Sequence, residues 1–141
     1  MKKYLFSFAV LLIVFGAVSA NAQSIVAITS LKANIPFEFS VSGSVFPQGE
    51  YTIVKSNERL VLCDSNGRPS LFIQAQPTAT RAVENTAGKL VFHKINGHYF
   101  LSSVWTEDNP VGYELAISRS ERRMASLFSE RETVVLAAEM R

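Results

Sequence analysis

The chain has 141 residues and carries 14 Lys and Arg against 12 Asp and Glu, a formal net charge of +2. This length predicts one domain with a core of its own. A charge balance this close to neutrality excludes the strongly basic surface with which proteins bind nucleic acid.

Residues 1–22 have the pattern of a secretory signal peptide. Two lysines precede an apolar run over residues 4–15, and Ala20-Asn21-Ala22 matches a small-x-small cleavage pattern. The apolar run is shorter than the ~20 residues that a membrane-spanning helix needs. We therefore predict an exported protein, periplasmic or extracellular, with residues 23–141 as a single β-rich domain and no transmembrane helix in the mature chain. Without its first 22 residues the chain keeps 12 basic and 12 acidic side chains, so the mature net charge is zero.

Cleavage is expected after Ala22, because Ala20 and Ala22 are the small residues that follow the apolar run. The mature chain would then begin at Gln23. N-terminal sequencing or the intact mass of the exported protein measures this, and an exported form that still begins at Met1 would contradict it.

Alternation of apolar and polar residues predicts strands through most of the mature chain. In residues 31–42 every odd position is apolar, and every even position is polar or is Pro36. Because proline lacks an N–H, this strand must be an edge, or be bulged or bent there. Phe46-Pro47-Gln48-Gly49 suits a type I turn. Further strands are predicted over residues 50–56, 59–64, 70–76, 89–95, 98–106 and 112–117, with a weak one within 78–86.

The second half of the chain adds a hairpin and one helix. Asn96-Gly97 is a turn pair that accepts positive φ. Ser118-Arg119-Ser120-Glu121 is a capping box, in which the Ser118 hydroxyl and the Glu121 carboxylate accept from first-turn amides. An apolar stripe follows at Met124, Leu127 and Phe128. The β-branched run after residue 132 favours a last strand over 133–139, and a continuous helix over 119–140 is the alternative.

These elements predict an all-β, mainly antiparallel fold. We expect a small barrel or sandwich of about eight strands, with one short helix before the last strand. Large side chains at alternating positions, among them Phe37, Phe39 and Tyr51, are expected to fill the interior. A barrel of about eight strands can instead hold one small ligand.

The two histidines are the first candidates for a site. With a turn at 96–97, His93 and His98 project to the same side of the hairpin as a diagonal pair that could share a metal ion. A zinc site needs at least three protein ligands, and no HxH, HExxH or CxxC motif supplies the others. The favoured interpretation is two partly exposed imidazoles, so we predict no catalytic, cofactor-binding or metal residue.

Cys63 is the only cysteine, which leaves no intrachain disulfide. Its apolar neighbours Leu60, Val61 and Leu62 predict a buried and slow-reacting thiol rather than a nucleophile. No GxSxG elbow, GxGxxG or P-loop spacing occurs. Glu107-Asp108 lies beside Asn109-Pro110, where acidic residues serve a turn. We predict no enzyme activity and no cofactor.

Three groups of motifs follow one another along the chain: Ile35-Pro36-Phe37-Glu38-Phe39 with Phe46-Pro47-Gln48-Gly49-Glu50-Tyr51-Thr52-Ile53; Leu90-Val91-Phe92-His93 with Tyr99-Phe100-Leu101 and Val104-Trp105; and Glu114-Leu115 with Ser118-Arg119 and Glu121-Arg122. With them the chain resembles, over nearly its whole mature length, a family of small exported bacterial β-proteins of unknown function. The motifs are strands, turns and a helix cap. The resemblance therefore implies a fold and a compartment, and it transfers no active-site residues.

The sequence favours an exported, non-catalytic β-domain that acts as a binding or envelope-associated structural module. Its partner would be an unknown protein or envelope component. One alternative is a carrier of a small apolar ligand in a barrel interior. Another is a small outer-membrane β-barrel, because outer-membrane strands also alternate. The predicted strands are mostly shorter than the ~9–11 residues of a spanning strand.

Overall fold

The computed structural model describes residues 29–56, 59–79, 87–107 and 111–140. The predicted signal peptide, the loop at Asn109-Pro110 and most of the weak strand predicted within 78–86 lie outside these residues.

The described chain is built mainly of strands, with one helix near its end. The elements are β1 (Ser30–Ile35), β2 (Phe39–Val41), β3 (Ser44–Phe46), β4 (Gly49–Ser56), β5 (Arg59–Cys63), β6 (Pro69–Ile73), β7 (Ala75–Ala79), β8 (Lys89–Ile95), β9 (His98–Trp105), β10 (Val111–Leu115), α1 (Arg119–Leu127), β11 (Glu132–Ala137) and β12 (Glu139–Met140). The predicted all-β fold with one short helix before the last strands is confirmed. The alternative of a continuous helix over 119–140 is wrong, because α1 ends at Leu127 and residues 132–137 form a strand.

The strands form two sheets. The smaller has the order β12-β1-β4-β5-β6, and the larger has the order β11-β8-β9-β10-β7. The hairpin of β2 and β3 joins the larger sheet through β2, which runs parallel to β9, whereas the other strand pairs are antiparallel. Neither sheet closes on itself among the described strands. Of the two predicted architectures, a sandwich-like arrangement is therefore the one that forms.

Four connections carry the chain from one sheet to the other. They lie between β1 and β2 at residues 36–38, between β3 and β4 at residues 47–48, between β6 and β7 at Gln74, and between β11 and β12 at Ala138. The strand predicted over 31–42 is thus two strands, because Pro36 cannot continue the ladder. The strand predicted over 70–76 is also two. With a third division at Ala138, inside the strand predicted over 133–139, and with β3, which the sequence did not predict, the described strands number twelve instead of the expected eight or so.

The interior between the sheets is filled by side chains from both. Phe92 of β8 lies at its centre, with its ring centroid 5.2 Å from that of Phe37 and 5.8 Å from that of Phe39. Phe39 in turn meets Tyr51 edge to face at 5.1 Å. The largest fully buried side chains are Phe39, Phe92, Leu31, Ile35, Leu62, Ile73, Leu90, Ile95, Val41 and Val104.

Trp105 lies against the backbone of Gly112 on the neighbouring strand. A Cβ atom at Gly112 would stand 2.5 Å from the indole ring. Gly112→Ala must therefore displace the ring, and we expect it to cost about 1–3 kcal/mol of unfolding free energy. Urea denaturation measures the cost. Trp105 is the only tryptophan, and its Nε1 donates to Ser103 Oγ at 3.0 Å. Because the variant displaces the ring, we expect the fluorescence emission of Trp105 to shift to the red. A Gly112→Ala variant as stable as the wild type, with the same emission maximum, would contradict the expectation.

Candidate functional site

Helix α1 is held on the larger sheet by a buried pair of ionisable side chains. Phe92 points into the core, so strand alternation places the next residue, His93, on the opposite face of the sheet. The helix contacts β8 on that face. Its first turn is capped by Ser118, whose Oγ accepts from the Glu121 N–H at 3.1 Å. Glu121 lies on the side of the helix that faces the sheet and is buried there.

Glu121 and His93 meet there directly. Glu121 Oε1 lies 2.8 Å from His93 Nδ1, and the side chains are 5% and 21% exposed respectively. Glu121 is the one buried residue of the helix. A buried carboxylate is unfavourable unless it is hydrogen-bonded and paired. Since a carboxylate only accepts hydrogen bonds, the bond between a carboxylate at Glu121 and His93 is one that the Nδ1–H of the imidazole donates.

A carboxylate that orients an imidazole is also a component of catalytic triads and of metal sites. Among the described residues, neither the second histidine nor the cysteine joins the pair. His98 is exposed, and Cys63 belongs to the smaller sheet. No group of three or more His, Cys, Asp or Glu within the described residues could hold a metal ion. In the part of the chain that the structure describes, the pair links α1 to β8.

The two histidines lie on one face of the hairpin, as the sequence predicts, but the partner of His93 was not predicted. The register pairs Ile95 with His98 and His93 with Phe100, so both histidines lie on one face as expected. Glu121, expected to accept from a first-turn amide, instead places Oε1 against His93. The inner face of the helix contains Glu121, the half-buried Met124 and Ala125.

The predicted apolar stripe differs from this inner face, since Leu127 is 67% exposed and Phe128 39% exposed. A signal was available in the sequence. Glu121 stands three residues before Met124 and four before Ala125, which puts all three on one side of a helix.

Cys63 is buried, as the apolar residues before it predicted. Burial raises the pKa of its thiol, and the neighbouring carboxylate of Asp64 raises it further. Both effects disfavour the thiolate, which is the reactive form.

Alkylation of Cys63 should accordingly be slow in the folded protein. We expect a rate at neutral pH about tenfold or more below that of the unfolded chain, because both access and the thiolate fraction fall. Since the thiol pKa is raised on folding, the native pH–rate profile should rise at higher pH than the unfolded one. Mass spectrometry after timed iodoacetamide treatment, with and without urea, gives both rates. Equal rates would show that the thiol is exposed in the folded state.

Two adjoining clefts lie where the chain crosses between sheets at Gln74. The first has a volume of about 850 Å³ and runs along residues 73–78 and 114–117, with Arg59 at its side. The second, about 530 Å³, reaches the turn at Ser42 and the first turn of α1. Both are lined by Gln74, Ala116 and Ile117. We call the two clefts together the corner groove.

The corner groove has a mixed chemical character. Ile117 is 46% exposed where the two clefts join, and Pro77 and Leu115 line the first cleft. Arg59 and Glu114 contribute charges of opposite sign. Most of the lining side chains are polar, among them Gln74, Gln76 and Arg119. An apolar centre within a polar surround is typical of surfaces that bind protein segments.

The one described helix, α1, has nine residues, and no helix in the described part of the chain is long and apolar enough to span a membrane. No protein family, curated protein or solved structure matches this chain. The resemblance to small exported bacterial β-proteins therefore stays a prediction.

Proposed function

We propose that the protein is exported and acts as a non-catalytic binding module, which binds a protein or an envelope component in the corner groove. The observation that carries the proposal is the groove itself. It is the place where large clefts and a half-exposed apolar side chain, Ile117, coincide.

The residues around the groove support binding rather than catalysis. Acid–base and nucleophilic catalysis need a nucleophile and a base within hydrogen-bond reach of each other. The described residues that line the groove contain no histidine or cysteine, and Glu114 is their single carboxylate. The buried His93–Glu121 pair belongs to the interface between α1 and β8 instead.

The shape and chemistry of the groove favour an extended protein segment as the occupant. An apolar side chain of the segment would cover Ile117, while acidic and basic groups would meet Arg59 and Glu114. The alternative of a carrier gains no support from the interior, because Phe39, Phe92 and their neighbours fill the space between the described strands.

Site-specific photo-crosslinking tests the groove in cells that produce the full chain. A photoreactive residue at position 117 should give a defined adduct, whereas one at Leu127, which is 67% exposed on the helix, is the matched control. With the partner identified by mass spectrometry, Ile117→Arg should weaken its binding about tenfold or more, and Leu127→Arg should leave it unchanged. Equal crosslinking from both positions would contradict a site in the groove.

The absence of catalysis has its own test. The exported protein should show no turnover in a broad esterase and glycosidase screen that includes His93→Ala and His98→Ala variants. Turnover by the wild-type protein that is lost in either variant would show that the protein is an enzyme. Native mass spectrometry of the same material should show no bound lipid, and a stoichiometric apolar ligand would favour the carrier alternative.

A further inference from the structure

Trp105 lies flat on the face of the larger sheet that is turned away from the core. Val104 and Tyr113 are directly opposite each other and belong to the core, so alternation places Trp105 and Gly112 on the other face. A Cβ atom at Gly112 would stand 2.5, 2.6 and 2.6 Å from the indole atoms Cε3, Cδ2 and Cε2. A point equally close to three consecutive ring atoms lies above the plane of the ring. The indole is therefore parallel to the sheet, with one face on the backbone of Gly112 and the other turned outward.

Two interactions hold the indole in this orientation. Its Nε1 donates to Ser103 Oγ at 3.0 Å, which satisfies the single polar group of the side chain. The Lys89 ammonium lies 5.7 Å from the ring centroid, near the outer limit of a cation–π interaction, and its flexible stem lets it move aside. Trp105 is half-buried, so part of its surface stays open to solvent. A ring fixed in this way loses little conformational entropy when a ligand stacks on it.

Polar side chains border the outward face of the indole. Gln76 of β7 and Glu114 of β10 lie directly opposite each other, and Glu114 also lies opposite Ser103. Directly opposite residues share a face of the sheet, so all three are on the face that carries Trp105. Gln76 and Glu114 are exposed. The amide both donates and accepts hydrogen bonds, the carboxylate accepts, and the Lys89 ammonium donates. We call Trp105, Gln76, Glu114 and Lys89 the tryptophan platform.

The chemistry of the platform matches a sugar ring. In a pyranose with equatorial hydroxyls, the axial C–H bonds make both faces of the ring flat and weakly positive. The face of an indole is flat and negative, so the two attract when they stack. The hydroxyls at the rim of the sugar donate and accept, as the side chains that border the indole do. The opposite charges of Glu114 and Lys89 balance each other, which favours a neutral ligand over a phosphate or a carboxylate.

We propose that the tryptophan platform binds a neutral saccharide of β-1,4-linked, equatorial pyranoses, one ring of which stacks on Trp105. Gln76 and Glu114 also line the first cleft of the corner groove, so the platform continues the groove towards β9. Ile117, on which the binding function proposed above depends, lies beyond the end of β10 and outside the platform. The saccharide site therefore does not rest on a partner bound at Ile117.

Titration with cellohexaose and with chitohexaose tests the proposal on the exported protein. Trp105 is the only tryptophan, so its fluorescence reports directly on stacking. The emission should shift to the blue in a saturable way, because a stacked sugar excludes water from the ring. Isothermal titration calorimetry then compares variants. Trp105→Ala should weaken binding about tenfold or more, and Gln76→Ala about two- to tenfold, the effect of one lost hydrogen bond.

Two control variants separate this site from other surfaces. Phe72→Ala removes an aromatic ring that is 66% exposed on the smaller sheet, and it should leave the affinity for the hexasaccharides unchanged. Ile117→Arg should leave it unchanged as well, because it alters the corner groove and not the platform. Circular dichroism verifies that each variant folds. Gln76→Ala alters only an exposed side chain, so it decides the outcome if Trp105→Ala does not fold.

Three results would overturn the proposal. The first is that neither hexasaccharide binds, and the second is that Trp105→Ala or Gln76→Ala binds as tightly as the wild type. The third is a protein partner, crosslinked from position 117, that loses affinity with Trp105→Ala while no saccharide binds. That result would make the platform part of a protein-binding surface.

Discussion

Replacing His93 with alanine should lower the free energy of unfolding by about 2–4 kcal/mol, because it leaves the buried Glu121 carboxylate without its partner. The cost of removing one member of a buried pair comes mainly from the charge that remains. Breaking a completely buried pair costs about 3–5 kcal/mol. We expect a smaller cost here, since His93 is 21% exposed and water can reach part of the ring. Urea denaturation followed by circular dichroism measures the loss.

The matched variant is Glu121→Leu, which removes the charge and keeps a side chain of similar size. It should change the stability by no more than about 1 kcal/mol, because apolar replacements of buried charges are often neutral or stabilising. His93→Ala should then cost much less in the Glu121→Leu background than in the wild type. An equal cost in both backgrounds would show that His93 acts through packing and not through the carboxylate.

Phe92→Ala should be the most damaging substitution in the core, with a loss of about 3–5 kcal/mol. Phe92 is fully buried, and its ring meets Phe37 and Phe39 edge to face. Those partners come from the crossover segment and from β2, so the cavity would open where the chain passes between the sheets. Urea denaturation gives the magnitude.

Phe72→Ala is the control for this loss. It deletes the same atoms from a side chain that is 66% exposed on the outer strand β6, and we expect a change of less than about 1 kcal/mol. Similar losses for the two variants would place Phe92 outside the core and would contradict the packing described above.

Several elements followed from the sequence alone because their cause is local. Asn96-Gly97 adopts positive φ values of 48° and 78°, as the hairpin turn requires. Ser118 caps α1 because a hydroxyl at that position can accept from the first-turn amide of Glu121. The alternating positions Ile35, Phe39 and Tyr51 are buried, since strand alternation decides which side chains share a face.

One local signal was overlooked. Ser42 and Gly43 both have positive φ and form the tight turn between β2 and β3. Alternation alone places Ser42 at the end of a single strand over 31–42, whereas a Ser-Gly pair is typical of a turn.

Other features depend on contacts between distant parts of the chain, and only the tertiary structure decided them. Local alternation in residues 70–76 predicts one strand, and it holds no sign that β6 and β7 join different sheets at Gln74. The choice of a sandwich over a barrel follows from such crossings. The sequence placed Glu121 in the first turn of the helix. Its partner, His93, lies 28 residues earlier in the chain, and only the packing of α1 on β8 brings the two together, because a buried charge must find its partner wherever the fold places one.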